Sequence, residues 1–252
     1  METILIYFAI KYHGNFADIL DALKRQEKIS NEEISNLEEQ IKTKKINAVT
    51  IMDELYPQEF KNLAKPPFVI FYKGNLNLLN QQYKIALSGD KNNERVTKYL
   101  NQSLPEVIKR HTLITCYYKN LDVPINDYFL KNNGKIIYIS ANGLNNPYFA
   151  KKVDVNENIL VISEYPENVN LSKTKLKNRN RIVAALASSL VIYSSNSDSG
   201  IMNLVNNFLN LGKDIFCYPG DFEENDGNAQ LIKQGATLIT SIKDVHDDKG
   251  GR

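Results

Sequence analysis

Five basic side chains lie within nine residues of this sequence, immediately before an apolar run. They are Lys173, Lys175, Lys177, Arg179 and Arg181. Residues 182–186 are apolar and typical of a helix, so the cluster lies where a predicted strand over 159–163 leads into that helix. Backbone N–H groups at a helix start, with guanidinium groups beside them, bind phosphate oxygens well. The pattern indicates an anion site, and a solvated lysine loop is the alternative.

Short motifs occur in series on both sides of this cluster. They are Tyr56-Pro57, Pro66-Pro67, Lys73-Gly74-Asn75, Ser163-Glu164-Tyr165-Pro166, Lys173, Leu176, Arg179-Asn180-Arg181, Ser199-Gly200, Pro219-Gly220, Gly227-Asn228, Gln230-Leu231-Ile232 and Gly235-Ala236. The series covers about residues 55–240 and resembles the signature of the DNA-processing protein A family, called DprA or Smf. Its order is far more specific than any one of its dipeptides.

The elements that must position the cluster follow from the apolar pattern. Short apolar runs alternate with polar, helix-compatible segments, at 68–72, 85–87, 113–115, 135–139, 159–163, 190–193, 214–217 and 237–239. This alternation predicts an α/β fold in which helices cover both faces of a mostly parallel sheet, and the resemblance implies a Rossmann-like core. We predict a helical N-terminal segment at 1–54, the Rossmann-like domain at 55–242 and a polar tail at 243–252.

Small residues are predicted in the loops that follow the strands. Ligands of open parallel sheets bind at the carboxyl ends of the strands, where loops lead into helices. Gly89, Ser163, Ser199 and Gly200 lie in such loops, where a small residue lets backbone N–H groups approach a phosphate. The alternative for the glycines is an ordinary turn.

The resemblance implies specific contacts with single-stranded DNA. Phosphates would be contacted by Lys91, Lys173, Arg179 and Arg181, and Asn180 would orient the loop or hydrogen-bond to a base. These five side chains are the predicted DNA-binding residues.

Two segments depart from the family pattern. Gly89-Asp90-Lys91 replaces a glycine-serine-arginine turn, so an acid and a lysine stand where a phosphate-binding fork is expected. The segment 115–122 keeps Asp122 but introduces Tyr117 and Tyr118, which would be core plugs or base-stacking platforms, with plugs favoured. Leu176 removes one expected aromatic surface.

Catalytic chemistry is hard to assemble from this sequence. The three histidines, His13, His111 and His246, have no metal-ligand spacing. The two cysteines, Cys116 and Cys217, have neither metal-ligand nor redox spacing and are predicted to be reduced thiols. No P-loop, GxSxG or GxGxxG motif is present. For Glu164 we favour an ion pair with Arg179 or Arg181 over a part in glycosidic-bond hydrolysis. We therefore predict no catalytic residue, no metal and no cofactor.

The net charge is only +2, from 31 Lys and Arg against 29 Asp and Glu, so a nucleic-acid surface must be local. The sequence has neither a basic leader nor an apolar stretch of membrane-spanning length, which predicts a cytoplasmic protein without membrane contact. The resemblance implies a non-enzymatic homodimer that binds and protects incoming single-stranded DNA and helps load a RecA-type recombinase during transformation. A Rossmann-like enzyme or sensor for a small nucleotide, and a scaffold that has lost its ligand site, are the alternatives.

Overall fold

Strands and helices alternate along most of the chain. The structure, a computed structural model, describes residues 1–44, 46–166, 169–220 and 225–245. Its strands are β1 (Asn47–Thr50), β2 (Val69–Gly74), β3 (Lys84–Ser88), β4 (Thr112–Thr115), β5 (Ile136–Ser140), β6 (Ile159–Ser163), β7 (Ser189–Ile192), β8 (Asp214–Cys217) and β9 (Thr237–Leu238). Its α-helices are α1 (Glu2–Lys11), α2 (Phe16–Lys24), α3 (Asn31–Lys44), α4 (Glu94–Arg110), α5 (Asp122–Lys131), α6 (Lys173–Leu186), α7 (Ile201–Asn210) and α8 (Gly227–Lys233). In the described part of the chain, every helix is too short or too polar to cross a bilayer.

The described strands form one sheet in the order β1-β2-β6-β5-β4-β3-β7-β8-β9. All neighbours from β6 to β9 are parallel, whereas β2 is antiparallel to β6 and β1 is antiparallel to β2. The chain moves outward from β3 to β6 and then returns to β7 on the other side of β3. The sheet therefore reverses its strand order between β3 and β7. The predicted mostly parallel α/β fold is confirmed.

Helices cover both faces of the sheet because side chains alternate along each strand. In β5, Ile137 and Ile139 pack with residues of α6, α7 and α8, whereas Ile136 and Tyr138 pack on the opposite face with residues of α4 and α5. Every residue of β5 and β6 is buried. Burial on both faces explains why these strands are nearly continuous apolar runs.

The N-terminal helices pack against the edge of the sheet. Leu5 and Phe8 of α1 and Ile19 of α2 form a cluster with Val69 and Phe71 of β2. This explains the apolar residues in an otherwise charged region, because each helix buries one stripe and exposes the rest.

The predicted helical segment at 1–54 contains a strand in addition to its helices. Residues 47–50 form β1, which pairs with β2 in the register Asn47↔Tyr72 to Thr50↔Val69. A four-residue strand with two buried positions is too short to give a clear alternation signal. The division into three segments stays a prediction, and within the predicted tail residues 246–252, with His246, lie outside the described residues.

Lys213 holds the end of α6 in place. Its Nζ donates hydrogen bonds to the backbone carbonyls of Ala184 (2.7 Å), Ala185 (2.6 Å) and Ala187 (2.6 Å). The last carbonyls of a helix have no partner within the helix and carry partial negative charge, so an ammonium group there stabilises it.

Replacing Lys213 with Met should therefore lower the free energy of unfolding by about 2 kcal/mol, measured by urea denaturation. The control is Lys109→Met, since Lys109 is exposed and forms a surface pair with Glu106 at 2.8 Å. That variant should change stability by about 0.5 kcal/mol or less. Equal effects of the two variants would contradict this assignment.

Candidate functional site

A cleft of about 410 Å³ opens at the carboxyl ends of β3 and β4, beside the reversal of strand order. It is bounded by the loops that follow these strands and by the starts of α6 and α7. The lining residues are 86–90, 114–116, 118–120, Asp122, Lys173, Leu176, Lys177, Arg179, Asn180, Val183, 199–201, Asn203 and Leu204. We call it the switch-point cleft, because ligands of open α/β sheets bind at such reversals.

Helix α6 supplies the positive charge of the cleft. The Ser172 side chain caps the helix by accepting the backbone N–H of Lys175 at 3.2 Å. Lys173, Lys177 and Asn180 then lie one turn apart and share the face that lines the cleft. The first turn contains no acidic residue, so the partial positive charge of the helix start adds to that of the lysines.

Arg179 lies between this face and the sheet and is 7% exposed. Its guanidinium carbon is 5.6 Å from the ring centre of Tyr118. Its Nε and Nη1 have no hydrogen-bond partner among the described residues. Buried donors are nearly always paired, so these two nitrogens are suited to an anion bound in the cleft.

Two acidic groups close to Arg179 have pKa values raised by burial in spite of its positive charge. Burial raises the pKa of Asp122 to about 6, although the Tyr118 N–H (2.9 Å) and the Arg179 charge both lower it. Burial likewise raises the pKa of the Cys116 thiol to about 11 against the effect of Arg179. The wall of the cleft near Arg179 therefore carries little negative charge in mildly acidic solution.

The partly buried Asn180 side chain contacts two other walls of the cleft. The Asn180 Nδ2 donates a hydrogen bond to the Asn203 Oδ1 at 2.9 Å. The Asn180 Oδ1 lies 3.9 Å from the Cys116 Sγ. These contacts connect α6 with α7 and with the loop after β4. They agree with the predicted orienting role, and hydrogen bonding to a base stays a prediction.

Arg181 lies outside the cleft lining that the structure describes. Its Nη2 pairs with the Glu164 carboxylate, and the two side chains are only 19% and 10% exposed. Burial raises the pKa of Glu164, and the adjacent Arg181 opposes that rise. Of the two predicted partners for Glu164, the structure gives Arg181 and leaves Arg179 to the cleft.

The predicted loop residues divide into two groups. Gly89, Ser199 and Gly200 line the cleft. A Cβ at Gly89 would lie 2.3 Å from Cδ1 of Leu121, so a side chain at this position would require Leu121 to move. A Cβ at Gly200 would meet nothing within 4 Å, which leaves open space beside the start of α7.

Lys91 and Ser163 do not line the cleft that the structure describes. The backbone of Lys91 exchanges two hydrogen bonds with the Ser194 hydroxyl, at 2.9 and 3.0 Å. Ser163 is buried, and its hydroxyl donates to the Ser140 carbonyl (3.1 Å) and accepts the Tyr165 N–H (3.1 Å). Ser163 therefore shapes the turn after β6, and its predicted contact with a phosphate stays a prediction.

The two tyrosines of the loop after β4 have different environments. Tyr117 is 1% exposed and packs in the core with Tyr138 and Phe149, as predicted for a plug. Tyr118 lines the cleft beside Arg179. Tyr117 is therefore a core residue, and base stacking on Tyr118 stays a prediction.

This fold and this cleft define a Rossmann-like α/β protein with a cleft lined by basic residues beside the reversal of its sheet. The sequence profile of the family described as DNA recombination-mediator protein A matches residues 47–249. The chain belongs to this family, and the resemblance to DprA and Smf is confirmed.

Individual relatives agree with this assignment. The chain is 28% identical over 208 residues to DNA processing protein DprA of Streptococcus pneumoniae, covering 80% of this chain and 73% of that protein. It is 26% identical over 211 residues to DprA of Bacillus subtilis, covering 81% and 71%.

Solved structures of relatives share the fold. The crystal structure of Streptococcus pneumoniae DprA superposes with a TM-score of 0.72 at 25% identity, covering 96% of this chain and 92% of that one. DprA of Helicobacter pylori, a structure described for its single-stranded DNA binding mode, gives a TM-score of 0.69 at 23% identity and covers 79% and 93%.

The raised pKa of Asp122 predicts a pH-dependent stability. Because the folded protein favours the protonated form, the stability that this group contributes at about pH 4 is lost as the pH rises through about 6. Asp122→Asn keeps an acceptor for the Tyr118 N–H and does not ionise. From pH 4 to pH 7, urea denaturation should therefore show the variant gaining stability relative to the unmodified protein. A constant difference, or one of opposite sign, would refute this.

The pair between Glu164 and Arg181 predicts strong coupling in stability. Glu164→Gln and Arg181→Met should each cost about 3 kcal/mol, because each leaves one buried group without its partner, and the double variant should cost less than their sum. The exposed pair of Lys152 and Asp154, at 3.6 Å, is the control. Strict additivity at the buried pair would contradict the assignment.

Proposed function

We propose that this member of the recombination-mediator family binds single-stranded DNA in the switch-point cleft. The observation that carries the proposal is Arg179, a buried guanidinium with two unpaired nitrogens among the described residues, flanked by Lys173 and Lys177. A phosphodiester supplies the oxygen acceptors that these nitrogens need. The Helicobacter pylori relative, described for its single-stranded DNA binding mode, supports the same ligand.

The positions of the lining residues suggest separate tasks in DNA binding. Arg179 would contact one phosphate deep in the cleft, and Lys173 and Lys177 would contact phosphates nearer its mouth, since both are exposed. Gly200, with open space beside it, would let the strand approach the start of α7. Arg181 and Ser163 would act indirectly, by holding the turn between β6 and α6.

Membership of the recombination-mediator family supports a further part of the proposal. The protein would protect single-stranded DNA that enters the cell during transformation and help to load a RecA-type recombinase onto it, in the cytoplasm and without catalysing a reaction itself. It would act as a homodimer, because two clefts on one strand raise avidity without new contact types.

The test is a titration of labelled single-stranded oligonucleotide over a series of salt concentrations. Lys173→Ala/Lys177→Ala should weaken binding and reduce the magnitude of the salt slope by about 1.4, since each lost phosphate contact removes about 0.7. Arg179→Ala should cost about 2 kcal/mol of binding, because charge-assisted hydrogen bonds are lost.

The matched control is Lys109→Ala/Lys131→Ala. It removes the same charge from the last turns of α4 and α5, which lie at the amino ends of the strands, away from the cleft. It should leave the salt slope nearly unchanged. A free mononucleotide that competes as well as the oligonucleotide would favour the small-nucleotide alternative. Absence of binding to either ligand would favour the scaffold.

A further inference from the structure

We propose that Tyr118 and Tyr148 form a stacking platform for nucleobases at the mouth of the switch-point cleft. This rests on the proposed binding of single-stranded DNA and names the groups that would receive its bases. The ring centres are 5.7 Å apart and the ring planes are inclined by 41°. Tyr118 lines the cleft, and Tyr148 lies next to it with 48% of its surface exposed. The pair therefore extends aromatic surface from the cleft into solvent.

Cations surround the platform on the side of the cleft. The Arg179 guanidinium is 5.6 Å from the Tyr118 ring centre, and the Lys119 Nζ is 5.1 Å from the same centre. A strand whose phosphate binds Arg179 would carry its bases past this ring. Among the cleft-lining residues that the structure describes, Tyr118 is the aromatic one, and Leu176 on the opposite wall offers no π surface.

The fold fixes both rings through their neighbours in the chain. Tyr117 and Phe149 are packed together, with ring centres 6.4 Å apart, and each also contacts the Tyr138 ring. The Ala150 N–H donates to the Tyr117 carbonyl at 2.8 Å, which joins the two loops. The packing of buried Tyr117 against partly buried Phe149 thus positions the neighbouring residues Tyr118 and Tyr148.

Backbone hydrogen bonds restrict the platform further. The Tyr118 N–H donates to Asp122 Oδ2 and the Tyr148 N–H donates to Asn142 Oδ1, both at 2.9 Å. The backbone of both residues is therefore ordered before DNA binds, which reduces the entropy lost when a base stacks on the rings. Stacking tolerates any base, which suits a protein that must bind strands of any sequence.

The platform makes a prediction that phosphate contacts do not make. Tyr148→Ala should weaken binding of an oligothymidylate about tenfold, since one stacked base contributes about 1–3 kcal/mol, and should leave the affinity for an abasic oligonucleotide of the same length unchanged. Tyr148→Phe keeps the ring and should bind both oligonucleotides as the unmodified protein does. Because Tyr148 is half exposed, its substitution should change the melting temperature of the protein little.

Fluorescence gives a second, independent measurement, because the sequence contains no tryptophan. Tyr148→Trp introduces a single reporter whose emission should be quenched by the oligothymidylate and not by the abasic strand. The control is Tyr83→Trp. Tyr83 also packs against a cation, since the Arg110 guanidinium lies 4.2 Å from its ring centre. Tyr83 precedes β3 and therefore lies at the amino ends of the strands, away from the cleft.

The outcomes separate the platform from the proposed function. If the unmodified protein binds neither oligonucleotide, the DNA-binding proposal and the platform both fall. If it binds both, but Tyr148→Ala loses equal affinity for each, the tyrosine acts on the backbone or on the fold and the platform alone is wrong. Loss of binding in Tyr148→Phe would overturn it too, because the hydroxyl would then be the contact.

Discussion

The pairing of β3 with β7 is the constraint on which the rest of the molecule depends. These parallel strands meet in the register Ile85↔Ser189 to Ser88↔Ile192, although more than a hundred residues separate them in the chain. The pairing continues into the loops, where the Asp90 N–H donates to the Ser194 carbonyl at 2.9 Å and the Asp90 carboxylate accepts the Asn196 N–H at 3.0 Å. Asp90, an unfavourable residue in an anion site, is thus used to join the two loops. Beyond these contacts the chain segments diverge and leave the cleft between them.

The same constraint sets the direction of α6. The connection from β6 to the parallel strand β7 must lead back to the amino ends of the strands. Helix α6 makes this return, so it begins at the carboxyl ends of the strands, where the cleft lies. Its 14 residues cover about 20 Å. Lys173, Lys177 and Arg179 in its first half reach the cleft, whereas the apolar residues of its second half are buried in the core. A chain with almost no net charge can therefore concentrate positive charge at one site.

Much of this could be predicted from the sequence, and the exceptions have physical reasons. Buried strands rich in Ile, Leu and Val are visible as apolar runs, and the order of short motifs is informative across most of the chain. Arg179 and Arg181 were predicted to act together, but two residues of a helix are separated by about 200°, so they face opposite sides. Ser163 begins one of these motifs, yet it also ends a fully buried strand, and its hydroxyl forms hydrogen bonds there.

Other features could not be identified from the local sequence alone. Tyr148 lies in an irregular loop, and its closeness to Tyr118 depends on contacts between segments about 30 positions apart. Lys177 belonged to the predicted basic cluster, but a cluster of five does not reveal which members share a helix face until the helix start is known. The cap at Ser172 supplies that information, and the four-residue spacing from Lys173 to Lys177 then identifies the pair.

The position of Cys116 has a consequence for how the cleft withstands oxidants. With its pKa raised to about 11 by burial, the thiol stays protonated at neutral pH even with Arg179 nearby. The thiolate is the form that peroxides and disulfides attack, so this sulfur reacts slowly. An anion bound beside Arg179 would offset the positive charge that favours the thiolate and make the sulfur less reactive still. The cleft therefore contains a cysteine whose thiol resists oxidation, and more so when an anion occupies the cleft.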